Sequence, residues 1–179
     1  MKIWIALLRG VNVGSTRKLP MKAFAAALTK AGLSDVRTYI QSGNVVFRSK
    51  ETKPAALAEI VEAAIEKVGG FKSSAQILAA SDLKKAARGN PFPKAVENHK
   101  SLHLFFLLER IAAAELAPLE ALKTDHEDFA LKGGVFYLYS RDGLSASKLA
   151  EKATRLLGTR ATARNWRTVA TLVEMAESA

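Results

Sequence analysis

The stretch RTYIQSGNVVF, residues 37–47, contains two short strand patterns joined by a turn signal. Before the turn, Arg37, Tyr39 and Gln41 alternate with residues that are apolar or β-branched, which predicts a strand with one polar and aromatic face. Gly43 in the SGN run supplies the backbone freedom of a tight turn. The stretch therefore predicts a β-hairpin, and the neighbouring elements can be placed around it.

The segments on either side of this hairpin complete a β-α-β-β-α-β order in the first half of the chain. Residues 2–8 are almost wholly apolar and predict a strand that is buried on both faces. Pro20 and Pro54 each suit the first turn of a helix with an apolar face. Residues 74–78 predict the last strand of this half, and Ser81 is predicted to cap one more helix.

The second half repeats this order of elements with different residues. Residues 102–108 are again apolar on both faces, and a helix is predicted over residues 112–122. Gly133 and Gly134 form a hairpin signal between two further strands. The remaining predicted elements are a helix over residues 148–157 with its N-cap near Ser145, a strand over residues 161–166 and a helix over residues 169–175.

These patterns predict an α+β fold of tandem ferredoxin-like (βαββαβ) repeats. The first repeat covers residues 1–93 and the second residues 94–179, each with an extra helix, and the rigid run NPFP at residues 90–93 marks the boundary. A single ferredoxin-like sheet carries helices on one face only. Strands that are apolar on both faces therefore predict one compact unit, in which the halves pack against each other or join their sheets.

The composition is ordinary for a soluble globular protein, with 179 residues, 49% hydrophobic and 25% charged. The chain has no cysteine, which excludes disulfides and thiolate metal sites. We expect a cytoplasmic protein without a membrane partner, because neither a secretory signal pattern nor an apolar run of ~18 residues is present. No motif predicts a cofactor or a metal, and the oligomeric state is not predicted.

The net charge of +10 lies entirely in the first half. Residues 1–95 contain 16 Lys and Arg against 6 Asp and Glu, whereas residues 96–179 contain 11 of each. This excess favours an anionic partner such as a nucleotide, a phosphometabolite or a nucleic acid. A solvated basic surface is the alternative explanation.

Two runs, ALLRGVNVG at residues 6–14 and VRTYIQSGNVVF at residues 36–47, resemble the DUF1697 family, bacterial proteins of unassigned activity. The resemblance implies a compact α+β protein of tandem ferredoxin-like character, and it implies no particular activity. The family tends to have a second glycine where this chain has Ser15. The resemblance extends over nearly the whole chain through the runs NPF at residues 90–92, YLY at 137–139, SKL at 147–149 and TARNWRTV at 162–169.

A basic loop with two glycines, Gly10 and Gly14, follows the first strand, and we expect it to lie side by side with the hairpin of residues 37–47. The backbone N–H groups of such a loop can hold an anion where it leads into a helix. Arg9, Arg17 and Lys18 would add charge-assisted hydrogen bonds. The spacing fits neither a P-loop nor a dinucleotide fingerprint, and a simple strand-to-helix turn is the alternative.

A second set of polar residues lies on strand patterns, where β-branched residues would fit better. The set comprises Arg37, Tyr39, Gln41, Ser42 and Asn44 with Arg164, Asn165 and Trp166. It either lines a pocket between the halves or forms a buried network that fixes their packing. Together with the basic loop it gives the predicted ligand site, which comprises Arg9, Asn12, Gly14, Lys18, Arg37, Gln41, Ser42, Asn44, Lys148, Arg164 and Asn165.

The preferred function is a binding protein for a small anionic ligand, either a nucleotide or a phosphometabolite. The first alternative is a nucleic-acid-binding module that uses its sheet face in the manner of RRM domains. The aromatic signature of that class is incomplete, so we expect Phe47, Tyr137 and Tyr139 to be core residues.

The second alternative is an enzyme that acts on an anionic substrate, although catalytic groups are scarce. It would need Lys148 to be buried beside Arg37 and Arg164. His103 alternates with apolar neighbours and is expected to be a hydrogen-bonded core histidine. Glu127 is predicted to lie in a turn next to a strand.

Overall fold

The computed structural model describes residues 1–109, 111 and 116–179. These residues form a mixed α/β fold with two four-stranded antiparallel sheets and six α-helices. The contacts divide the chain into two units, Met1–Lys84 with Thr171–Ala179, and Lys85–Ala170. The two sheets are separate in the described part of the chain, so the predicted alternative of one joined sheet is wrong.

The first sheet has the strand order β2-β3-β1-β4. Helix α2 begins at a proline and is capped at its C-terminus by Gly70, which has left-handed backbone angles, as the sequence predicts. The strands of this sheet are β1 (Lys2–Leu8), β2 (Ser34–Tyr39), β3 (Asn44–Ser49) and β4 (Ala75–Ala79), and the helices that follow them are α1 (Met21–Lys30), α2 (Pro54–Gly69) and α3 (Ala80–Arg88).

Both faces of β1 are buried, which confirms the prediction from its continuous apolar run. One face contributes Trp4 to a core cluster that also contains Phe24 of α1 and Leu57 of α2. On the opposite face, Ile5 and Leu7 are fully buried as well. Burial of each such side chain stabilises the fold by about 2 kcal/mol, and β1 is one of the two inner strands of its sheet.

The second sheet has the strand order β6-β7-β5-β8. Gly133 and Gly134 have φ values of 61° and 80° and form the tight turn between β6 and β7, as predicted. The elements are β5 (Leu102–Leu107), α4 (Ala117–Glu120), β6 (Glu127–Lys132), β7 (Val135–Ser140), α5 (Lys148–Leu156), β8 (Ala161–Asn165) and α6 (Trp166–Glu177), with short 3-10 helices at Pro93–Glu97 and Leu144–Ala146.

Several predicted helix ends are corrected by the structure. Helix α3 begins at Ala80, directly after β4, so Ser81 lies inside its first turn instead of capping it. The N-cap of α5 is Ser147, whose Oγ accepts a hydrogen bond from Ala150 N at 2.9 Å, and not Ser145. Trp166 begins α6 and does not end a strand. Of the helix predicted over residues 112–122, residues 112–115 lie outside the described residues.

Candidate functional site

The loop after β1 and the turn between β2 and β3 are joined by a set of hydrogen bonds. Leu8 N donates to Gly43 O at 2.8 Å. Asn12 Nδ2 donates to Gln41 O at 2.8 Å and to Leu19 O at 3.0 Å, and Asn12 Oδ1 accepts from Leu19 N at 2.8 Å. The prediction that these two stretches lie side by side is therefore confirmed.

The turn approaches β1 so closely that only glycine fits at its centre. A Cβ atom on Gly43 would lie 2.6 Å from Val11 Cγ2 and 2.7 Å from Leu8 Cβ, and the φ of Gly43 is +79°. Both the space and the backbone angle exclude a side chain without a shift of the loop. Gly43 therefore sets the position of the loop relative to the hairpin.

Other residues of the predicted ligand site make hydrogen bonds within these loops. Asn44 is fully buried, and its Nδ2 donates to Tyr39 O and to Ser42 Oγ, each at 3.1 Å. Lys18 Nζ donates to Gly14 O at 2.9 Å. These contacts stabilise the local backbone, and a direct role of these residues toward a ligand stays a prediction.

A basic pocket opens at the end of β1, and we use this name for the six residues that line it. Its volume is ≈ 310 Å³. Three of its side chains are cationic and none is acidic. Among the described residues, no carboxylate forms an ion pair with Arg9 or Arg17, while Lys72 Nζ lies 3.9 Å from Glu66 Oε1. The lining residues are Arg9, Gly10, Arg17, Lys72, Ser73 and Ser74.

The backbone of Arg9 is held on both sides by the segment before β4. Arg9 N donates to Ser74 O at 3.1 Å, and Arg9 O accepts a hydrogen bond from the Ser73 hydroxyl. Gly10 and Arg17 both have left-handed backbone angles, with φ values of 58° and 53°. A Cβ atom on Gly10 would lie 3.4 Å from Arg17 Nη1, so the guanidinium of Arg17 extends over Gly10. The two arginines therefore face one pocket from a fixed backbone.

Sequence reasoning missed residues 72–74, although a signal for them exists. Strand β4 pairs antiparallel with β1 in the register Leu8↔Ala75. The residues before β4 must then lie beside the residues after β1. The run KSS at residues 72–74 could have been placed next to Arg9 from the order of the strands.

A second pocket of ≈ 460 Å³ shares Lys72, Ser73 and Ser74 with the basic pocket. Its other polar side chains are acidic, and Glu62 Oε1 accepts a hydrogen bond from Ala75 N at 2.9 Å. The basic pocket is thus bounded on one side by negative charge. The remaining lining residues of the second pocket are Glu59, Glu62, Ala63 and Glu66.

Arg37 of β2 binds the end of α6 and not the loops of the hairpin. Its Nη2 donates to Met175 O at 2.8 Å and its Nη1 to Ser178 Oγ at 3.2 Å. A guanidinium at this position satisfies a carbonyl of the last helical turn and complements the helix dipole. Lys84 and Glu177 form an ion pair at 3.3 Å in the same unit. Arg37 therefore has a structural role in the described residues.

In the second unit, the three predicted site residues have different environments. Lys148 is exposed, so the burial that the enzyme alternative requires is absent for this side chain. Burial lowers the pKa of Arg164 to about 10, and its Nη1 donates to Ala163 O at 2.8 Å. Asn165 Oδ1 accepts from Thr168 N at 2.9 Å, which is the geometry of an N-cap for α6.

Two further polar groups differ from the sequence-based expectation. His103 Nδ1 has no hydrogen-bond partner in the described part of the chain, so the expected hydrogen bond is wrong at that atom. Burial, and to a smaller extent the charge of His99, lowers the pKa of His103 to about 4. Glu127 lies in β6 and is buried; its carboxylate accepts hydrogen bonds from the hydroxyls of Ser147 and Thr124.

The aromatic residues of the third strand of each sheet belong mostly to the interior. Phe47 and Tyr137 are buried, as predicted, and the Tyr137 hydroxyl donates to Ala86 O at 2.8 Å. Tyr139 is half-buried and stacks on Phe92, with ring centroids 5.9 Å apart. These rings do not form an open platform on which nucleic-acid bases could stack.

Two other classes of site are not found in the described residues. No helix combines the length and the apolar character that crossing a bilayer would need. No three or more His, Cys, Asp or Glu side chains there converge on a position suitable for a metal ion.

Comparison with known proteins places the chain in a family. The sequence model of the family described as Protein of unknown function (DUF1697) matches residues 1–137. Among solved structures, the chain is similar to the conserved bacterial protein SP0830 from Streptococcus pneumoniae, with a TM-score of 0.74, 25% sequence identity and 98% of each chain covered. Comparison with curated proteins finds no significant match. Because the family match covers well over half of its residues, this chain belongs to the DUF1697 family.

Proposed function

We propose that this protein binds a small anionic ligand, of the phosphorylated-metabolite class, in the basic pocket. The observation that carries the proposal is the convergence of Arg9, Arg17 and Lys72 on a pocket without an acidic lining residue. Charge-assisted hydrogen bonds from guanidinium groups to phosphate or carboxylate oxygens are among the strongest in proteins. Arg9 and Arg17 form no ion pair with a carboxylate in the described part of the chain, so both are available for an anion.

The size of the pocket narrows the ligand class. Its volume of ≈ 310 Å³ is at the lower end of the range of about 300–1,000 Å³ that is typical of small-molecule sites. Such a volume suits a phosphate group with a short organic part better than a dinucleotide. The proposed site differs from the one predicted from the sequence. It includes Lys72, Ser73 and Ser74. It does not include Arg37, Lys148, Arg164 and Asn165.

Binding can be tested by thermal unfolding of the full chain in the presence of small phosphates, sulfate and carboxylates. A ligand present at 100 times its Kd stabilises the folded state by about 2.7 kcal/mol, which raises the Tm by several degrees. The variant Arg9→Ala/Arg17→Ala should lose this increase. The matched control is Lys22→Ala, which removes an exposed cation of α1 that lies outside the pocket. If no anion raises the Tm of the native protein, the proposal fails.

The nucleic-acid alternative has less support. The basic first half favours it, but a polyanion that extended from the basic pocket across Lys72 would meet Glu59, Glu62 and Glu66. Stacking on the sheet face would need exposed aromatic rings, and Phe47 is fully buried. A binding constant for single-stranded RNA that falls steeply with salt concentration would favour this alternative over the small anion.

We also infer that the two halves, residues 1–93 and 94–179, are tandem ferredoxin-like repeats. This inference is supported by the two strand orders, β2-β3-β1-β4 and β6-β7-β5-β8, in which corresponding strands occupy corresponding places. The packing of the two halves into one compact unit, and the cytoplasmic location, stay predictions.

A further inference from the structure

We propose that Ser73 makes the basic pocket select anions that carry a hydrogen-bond donor beside their negative charge. Two sources of such a donor are the P–OH group of inorganic phosphate and the hydroxyl next to the phosphate of a polyol or sugar phosphate. The inference rests on the proposed anion binding and specifies the class of ligand that the pocket prefers.

The inference starts from the single proton of the Ser73 hydroxyl. A serine hydroxyl has one hydrogen to donate and two lone pairs that accept. Ser73 Oγ is hydrogen-bonded to Arg9 O, and a backbone carbonyl oxygen can only accept, so Ser73 is the donor. Its proton is therefore used within the protein, and its oxygen can offer only lone pairs to a ligand.

The proton of Ser73 is not free to turn toward a ligand. Arg9 is also bound through its N–H group to Ser74 O, so the two segments are joined by two adjacent hydrogen bonds. A ligand that recruited the Ser73 proton would break one of them and loosen the backbone that carries the Arg9 guanidinium. Ser73 therefore acts as an acceptor for as long as Arg9 keeps its position.

The remaining side chains of the pocket supply donors. The side-chain nitrogens of Arg9, Arg17 and Lys72 donate hydrogen bonds and accept none. The Ser74 hydroxyl has no hydrogen-bond partner among the residues that the structure describes, so it can rotate to donate to an anion. Ser73 is thus the lining side chain that can only accept a hydrogen bond from an anion, whereas Ser74 can also donate one. This favours an anion that bears a proton over one that has acceptors only.

The test compares matched pairs of ligands by isothermal titration calorimetry on the full chain. At about pH 8, inorganic phosphate and sulfate are both dianions, but only phosphate carries a proton. Glycerol 3-phosphate and propyl phosphate differ by the hydroxyl next to the phosphate ester. We expect the donor-bearing member of at least one pair to bind about five- to tenfold more tightly, and the pair that shows this preference identifies the source of the donor.

Variants of the two serines separate selectivity from affinity. Ser73→Ala should reduce the ratio of affinities within the responsive pair to about one, while Ser73→Thr, which keeps a hydroxyl, should retain the preference. Ser74→Ala is the matched control and should weaken both members of a pair by a similar factor. If Ser73→Ala weakens both members equally and leaves their ratio unchanged, Ser73 only positions Arg9 and the inference is overturned.

The outcomes for the native protein also separate the two proposals. Equal affinities within both pairs would overturn the selectivity while leaving the anion pocket in place. If none of the four ligands binds, the proposed function itself fails, and the selectivity of Ser73 fails with it.

Discussion

The ends of the central strands β1 and β5 have the same backbone arrangement and different side chains. In the first unit, Arg9 N donates to Ser74 O at 3.1 Å; in the second, Leu108 N donates to Arg160 O at 2.9 Å. The register makes Glu109 the counterpart of Gly10. The backbone hydrogen bonds at this position are therefore common to both units. The basic pocket, in contrast, depends on the side chains of the first unit.

A serine or threonine precedes the last strand in both units, but it is used differently. The Ser73 hydroxyl donates to Arg9 O, whereas Thr159 Oγ1 accepts a hydrogen bond from Glu109 N at 3.2 Å. Leu108 is 48% exposed at the position that corresponds to Arg9. The second unit therefore has an apolar side chain at the position where the first unit presents Arg9 to the basic pocket.

The largest expected effect is on stability, from alanine at the hairpin glycines Gly43 and Gly134. Their φ values are +79° and +80°, but a Cβ atom at Gly43 would contact Val11 and Leu8 below 3 Å, whereas Gly134 has nothing within 4 Å. Gly43→Ala should destabilise the protein by about 3–4 kcal/mol and Gly134→Ala by about 1 kcal/mol. Urea unfolding measures both, and equal losses would contradict the close approach of the first hairpin to its loop.

The next effect is on the pH dependence of stability and concerns His103. This residue of the second unit occupies the position that Trp4 has in the first. Burial lowers the pKa of His103 to about 4 from an ordinary value of 6.5, so the unfolded chain takes up a proton before the folded protein does. The contribution of His103 to the free energy of unfolding therefore has its full value above pH 6.5. It decreases by on the order of 2–3 kcal/mol as the pH falls toward 4. The loss in the native protein should exceed that in His103→Phe, and identical pH profiles would show that folding does not lower the pKa of His103.

The third effect is on anion binding and uses the residue found in the second unit. Arg9→Leu copies Leu108 into the first unit and removes one charge-assisted contact, so the Kd for phosphate should rise about 10- to 100-fold. Calorimetric titration measures the change, with Lys22→Leu as the control for loss of one positive charge elsewhere. A similar increase in both variants would mean that general charge attracts the anion and that the pocket does not bind it.

The smallest effect is expected from Asn12, which ties the loop after β1 to the hairpin. Asn12→Ala removes the side-chain hydrogen bonds to Gln41 O and to the backbone of Leu19, and it places alanine at a φ of 53°. We expect a loss of about 1–2 kcal/mol in the free energy of unfolding. Asn12→Gly relieves the backbone angle, so its loss measures the hydrogen bonds more directly. Unchanged stability in both variants would show that the loop is held by other contacts.

Much of the first unit could be predicted because its helices and turns begin and end at residues with strong conformational preferences. Helix α2 begins at Pro54 and its cap, Gly70, has left-handed backbone angles, so both limits follow from chemistry within the chain. The adjacency of the hairpin and the loop was also predictable. Asn12 confirms it through its hydrogen bond to Gln41 O.

The features that escaped prediction depend on register and tertiary partners. The contribution of Ser73 to the pocket follows from the pairing of β4 with β1, which no local pattern states. Ser145 and Ser147 are equally good caps by residue type, and the burial of Ser147 beside Glu127 distinguishes them. Long polar side chains such as Arg37 have several potential partners, and the sequence does not show that the end of α6 is the one used.

The most direct test of the central claim is a titration of the ¹⁵N-labelled protein with inorganic phosphate, followed by amide chemical shifts. The account predicts saturable shifts at Gly10, Ser73 and Ser74, and none at the corresponding Glu109 and Arg160. Shifts spread over all basic surface residues without saturation, or saturable shifts confined to the second unit, would contradict it.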